Sequence, residues 1–102
     1  MKKTFTTAVI FRAFKKGGDV IALFPLEPYS RNDGGWNCES YQRIGQYGGA
    51  CPHIVRNGTR PATPAEICDL ACELRGIGYR LRGMSRFPRN AYAVRKSKLN
   101  RS

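Results

Sequence analysis

A chain of 102 residues has room for one domain and no second independent core. Its apolar fraction of 41%, with five Phe and five Tyr, is too rich for wholesale disorder. Eighteen Lys and Arg against seven Asp and Glu leave a net charge of +11, so the expected partners are polyanions: nucleic acid, an anionic membrane surface or an acidic protein face.

The opening, "MKKTFTTAVIFRAF", sets two lysines before an apolar run, as a signal peptide does. Three threonines, Arg12 and the lack of a small-residue cleavage site argue against that. Residues 4–14 are instead expected to form a strand of β-branched and aromatic residues. No stretch approaches the roughly 20 apolar residues of a membrane span, so the expectation is an intracellular protein without membrane contact. In "FKKGGDVIALFP", residues 14–25, two glycines separate this strand from a second apolar run. A phosphate loop needs glycines that lead into a helix N-terminus, with a Lys-Ser/Thr pair placed there. Here the lysines come first and a strand-like run follows, so a hairpin turn is expected.

Pro28, Asn32, Asp33, Gly34 and Gly35 punctuate residues 26–37, which predicts an exposed loop with Trp36 closing over the core. Residues 39–47, "ESYQRIGQY", read as a third strand with Gly45 weakening it or marking a bulge. A short fourth strand is expected around His53–Arg56.

The firmest local signal follows. Thr63 is placed to cap a helix, Pro64 suits its first position, and Glu66 completes a capping box. Ile67, Leu70, Ala71 and Leu74 recur at helical spacing and mark one buried face, and Gly76 is expected to stop the helix. Beyond it, Ile77, Tyr79 and Leu81 alternate with Gly78, Arg80 and Arg82, which predicts a last strand presenting arginines to solvent. Residues 87–102 read as a basic tail, either a short helix or unstructured. The expected fold is α+β: one domain over residues 1–86, with an antiparallel sheet of about four to five strands packed against one main helix.

"VIFRAFKKGGDVIALFP", "YQRIGQYGGA" and "TRPATPAE…L…GYRL" together resemble a group of small uncharacterised proteins carried by bacteriophages, plasmids and other mobile genetic elements. The likeness spans most of residues 8–82. It implies a bacterial cytoplasmic setting and carries over no activity and no residue role.

Three chemistries compete. Cys51, His53, Cys68 and Cys72 offer the sulfur and nitrogen that tetrahedral zinc prefers. Their Cys-x-His and Cys-x3-Cys spacings match no recognised finger, so buried free thiols are the preferred reading; no cofactor is expected, with zinc the alternative. Catalysis would start from His53 with Cys51, but no orienting group or oxyanion site is legible. Glu66, Asp69 and Glu73 read as the polar face of the helix, and no enzyme is expected. Polyanion binding has the most support. Arg80, Arg82, Arg86, Arg89, Arg95, Lys96, Lys98 and Arg101 occupy a stretch without an acid, interleaved with Tyr79, Phe87 and Tyr92. Arginine forks match phosphate and aromatic rings stack on unpaired bases; Lys15 and Lys16 extend the patch if strand order brings them near. The expected function is a non-enzymatic module contacting nucleic acid, or nucleic-acid-processing machinery, through this basic strand and tail, with salt-sensitive and sequence-tolerant affinity. The alternative is a stoichiometric inhibitor that binds a host defence or regulatory complex.

Overall fold

In the computed structural model, which describes residues 6–42 and 46–100, the Lys-Lys-Gly-Gly turn joins β1 (Thr7–Phe14) to β2 (Val20–Pro28) as an antiparallel hairpin. Gly17 and Gly18 take φ of 85° and 75°, a region costly for residues with a Cβ. The expected third strand is in fact two. β3 (Cys38–Gln42) and β4 (Gln46–Ala50) pair antiparallel, with Gln42 opposite Gln46. Gly45, the expected bulge, lies outside the described residues, as do residues 1–5 and Arg101.

The strand expected at His53–Arg56 is helical: α1 spans Pro52–Gly58. Pro52 sits in the first turn, where its fixed φ suits a helix and its missing N–H is no loss. β5 (Thr59–Pro61) follows and pairs antiparallel with β1. α2 (Pro64–Ile77) begins as expected: Thr63 Oγ1 accepts from the Glu66 N–H at 3.2 Å, and Glu66 Oε1 accepts from the Thr63 N–H at 2.8 Å. The stop is two residues later than expected. Gly76 is helical, and Gly78, at φ 128°, ends the helix by donating its N–H to the carbonyls of Leu74 and Arg75. A glycine inside a helix costs only about 1 kcal/mol, so Gly76 does not break it. The last strand shrinks to β6 (Leu81–Gly83), and Ile77 is left exposed.

The sheet order is β4-β3-β2-β1-β5. β6 joins β1 in parallel, Thr7 opposite Leu81 and Val9 opposite Gly83, while β5 pairs with residues 12–14. The Thr7 N–H donates to Arg80 O, the Val9 carbonyl accepts from the Met84 N–H and the Phe11 carbonyl accepts from the Ala62 N–H, so these two short strands share one edge of β1 end to end.

Strand alternation divides the core in two. On one face Val9, Ala22, Phe24 and Tyr41 pack with Leu70 and Leu74 of α2, joined by Phe11, Val20, Tyr79 and Leu81. Burying each of these leucines contributes about 1.5–3 kcal/mol. The Tyr41 hydroxyl also donates to the Glu73 carboxylate. On the other face Ile10, Ile21, Leu23, Cys38 and Ala50 pack with Val55 of α1, joined by Phe14, Met84 and Phe87. The protein is therefore α+β, its sheet covered by α2 on one side and α1 on the other. The basic stretch after residue 87 adopts the helical of its two expected forms, α3 (Ala91–Leu99), docked with Ala91 and Arg95 buried.

Candidate nucleic-acid interface

Even-numbered positions of β1 point away from α2. Ile10 and Phe14 join the second core face, and Arg12 between them emerges on the same side. Its guanidinium is anchored at the start of β5: Nε donates to Thr59 Oγ1 at 2.9 Å, and Nη2 donates to the carbonyls of Thr59 at 2.8 Å and Arg56 at 3.3 Å. α1 supplies the Arg56 side chain, and the segment after β6 supplies Ser85, Arg86 and Phe87. With Ile10 and Leu23 these residues line an open cavity of about 510 Å³ that no acidic side chain borders among the described residues. Burial, and after it the like charge of Arg56, lowers the pKa of Arg12. Cations held together without a carboxylate favour an entering anion.

A second cavity of about 200 Å³ adjoins the first, with Arg56 and Phe87 common to both. Its aromatic lining comes from three separate elements. Trp36 lies 5.6 Å, centroid to centroid, from His53 of α1 and the same distance from Tyr92 of α3, the Tyr92 contact being edge-on. Arg89 stands beside them. Trp36 was expected to close the core, but it is 45% exposed: the loop lays its ring against two helix ends and not onto the sheet.

Most of the predicted basic residues reach this side. Tyr79 and Leu81 pack toward α2 and Met84 packs on the opposite face; the alternation therefore turns Arg80 and Arg82 away from α2, and both are exposed, as are Arg86, Arg89 and Lys96. The Lys96 ammonium lies 6.0 Å from the Tyr92 ring centre. The Lys15 N–H donates to Gly58 O at 3.1 Å, which sets the hairpin tip beside the end of α1.

Two expectations need correction. Arg95 is only 3% exposed. Its Nη1 donates to Pro25 O at 2.7 Å, Nε to Gly35 O at 2.7 Å and Nη2 to Trp36 O at 3.1 Å. The fork that would grip a phosphate is filled by backbone carbonyls, so Arg95 builds the fold. Lys98 is in part neutralised as well, its Nζ 2.7 Å from Glu27 Oε2.

The four proposed zinc ligands are divided by the sheet. Cys51 and His53 begin α1 on one side; Cys68 and Cys72 are exposed on α2 on the other. Among the described residues no three His, Cys, Asp or Glu gather to hold a metal. The expectation of buried thiols fails for Cys68 and Cys72, which are exposed, and Cys51 is half-buried; the buried thiol is Cys38, whose pKa burial raises to about 11.

The acids are distributed unequally. α2 carries Glu66, Asp69 and Glu73, with Glu66 clasped by Arg60 at 2.6 and 2.8 Å. Near the aromatic cavity, Asp33 accepts from the N–H groups of Gly35 and Asn37 at 2.9 and 3.2 Å, which folds the loop back ahead of Trp36. Sequence reasoning missed Arg12 and Arg56. An arginine inside an apolar strand pattern is the available signal for Arg12; Arg56 lies in a segment expected to be a strand and found as α1, which moves its side chain to this face. No family model, curated protein or solved structure matches the chain, which leaves the geometry and charge of this face as the guides to its function.

Proposed function

We propose that the protein is a non-enzymatic module that binds nucleic acid through the face covered by α1 and α3. Arg56, Arg86 and Arg89 engage phosphates, Arg12, its Nε and Nη2 held by Thr59 and Arg56, adds fixed positive charge beside them, and Arg80, Arg82 and Lys96 widen the basic surface. One observation carries the reading: three arginines from β1, α1 and the segment after β6 line a single cavity without a bordering acid among the described residues, on the side of the sheet opposite the acids of α2. Arginine, serine and apolar groups suit holding an anion better than moving protons at neutral pH. The long axis of the molecule, 38 Å, matches about eleven base steps at ~3.4 Å each. The resemblance to mobile-element proteins suits a DNA or RNA target in a bacterial cytoplasm.

Fluorescence anisotropy with labelled 12-nucleotide duplex DNA, single-stranded DNA and RNA, from low to near-physiological salt, tests the proposal. The expected result is affinity that falls linearly in log salt, with a slope of about −0.9 per phosphate engaged on duplex and about −0.7 on single strands. An absence of binding to all three at low salt overturns it and directs the search to an acidic protein partner, as a stoichiometric inhibitor would have.

A further inference from the structure

We infer that the cavity bounded by Trp36, His53 and Tyr92 receives one unpaired nucleobase of a strand whose phosphates occupy the adjoining arginine cavity, so that the interface selects single-stranded over duplex nucleic acid. This rests on the nucleic-acid reading above and adds the strand state of the target.

Three observations converge. Trp36 and Tyr92 are 45% and 40% exposed, so folding leaves two large aromatic rings in water at one place. Trp36 stands 5.6 Å, centroid to centroid, from His53 and 5.6 Å from Tyr92, and the three rings line a cavity of about 200 Å³, which has room for a further ring system. The Arg56 side chain and Phe87 border both cavities, so a base in one and a phosphate in the other are neighbours, as they are along a strand. A duplex keeps its base faces stacked, whereas an unpaired base offers them to aromatic side chains. Stacking of this kind tolerates any base, because every base has a π-face.

The test uses the full chain, in which Trp36 is the sole tryptophan, so selectively excited tryptophan emission reports on this cavity alone. Three probes of equal length are compared at one salt concentration: oligo-dT, an abasic deoxyribose-phosphate strand, and a duplex. Oligo-dT is expected to quench Trp36 and to bind about 10-fold more tightly than the abasic strand. Tyr92→Ala and Trp36→Ala, each checked for native circular dichroism, should bring oligo-dT down to the abasic affinity; Trp36→Phe should keep most of the preference. Equal binding of oligo-dT and the abasic strand overturns the base cavity and leaves the phosphate interface standing. Duplex binding as tight as oligo-dT, with the same quench, overturns it too. If no probe binds at low salt, the phosphate interface fails and this inference fails with it.

Discussion

Arg95 Nη2 donates to the carbonyl oxygen of Trp36 across 59 residues of sequence, at 3.1 Å. α3 thereby fixes the backbone that carries the indole, and the same guanidinium reaches Gly35 and Pro25. The most deeply buried cation of the basic stretch forms no ion pair among the described residues. It ties the loop ahead of β3 and the far part of β2 to α3.

Arg95→Met keeps the length of the side chain and removes all three bonds. Hydrogen bonds from a charged donor contribute about 1.5–3 kcal/mol each, part of which water restores to the freed carbonyls, so a loss of about 3 kcal/mol is expected. Urea unfolding should show a midpoint lower by about 2 M for a slope of ~1.5 kcal/mol/M, with Trp36 emission shifted to the red. Arg95→Lys should recover only part of the loss, because an ammonium cannot span three carbonyls as a planar fork does.

Arg56→Ala and Arg86→Ala are expected to weaken nucleic-acid binding uniformly across sequences. Each should reduce the slope of log affinity against log salt by about 1. Arg75→Ala removes an exposed arginine from α2, on the other side of the sheet, and should leave the slope unchanged. Anisotropy titrations at four or more salt concentrations measure all three. Equal losses from Arg75 and Arg86 would mean that net charge, not this face, governs binding.

Glu66 titrates well below its ordinary 4.5, at about 2, chiefly because the Arg60 side chain bonds it and next because the Thr63 N–H donates to it. A carboxylate depressed in the folded state adds stability that is complete above its unfolded pKa and is lost as pH falls through the folded value. The affected window therefore runs from about pH 4.5 down to about 2. Thermal melts across that window should show the wild type losing more stability than Glu66→Gln, which lacks the titrating group. Parallel curves would remove the pair from any role in acid sensitivity.

Thiol reactivity should divide the cysteines by burial. Cys68 and Cys72 are exposed on α2, so alkylation followed by mass spectrometry should label them rapidly in the native protein at about pH 8. Cys38 is buried with its pKa raised to about 11 and should label only on unfolding. Because the sheet separates Cys51 and His53 from Cys68 and Cys72, a chelator should leave the melting temperature unchanged.

What the sequence revealed was local. The Thr63-Pro64-Ala65-Glu66 cap and the spacing of Ile67, Leu70, Ala71 and Leu74 each fit within two or three helical turns, and α2 formed where they placed it. The Gly17-Gly18 turn was legible for the same reason. The choice between Gly76 and Gly78 as the stop was not, since both satisfy the same composition rule and packing of Leu74 and Tyr79 decides between them. Arg80, Arg82, Arg86 and Arg89 were identifiable as a cluster, yet the meeting of Arg86 with Arg12 and Arg56, and of Arg89 with Arg56, depends on β6 pairing with β1 and on α1 being a helix. Arg95 looked like its neighbours because its carbonyl partners lie 59 to 70 residues away, and no pattern within a stretch of basic residues encodes a bond of that span.

The bond between Arg95 and Pro25 joins residues 70 apart, and that separation is also a delay. A ribosome adds roughly 5–20 residues per second, so the nascent hairpin of β1 and β2 waits about 4–14 s for the side chain that anchors the far part of β2. β1 waits nearly as long for β6 to cover its outer edge. During that interval the strand carrying Val9 and Ile10 presents an unpaired edge, the kind of surface that recruits chaperones or aggregates. Low temperature and slow translation should therefore affect the yield of this protein more than its final stability.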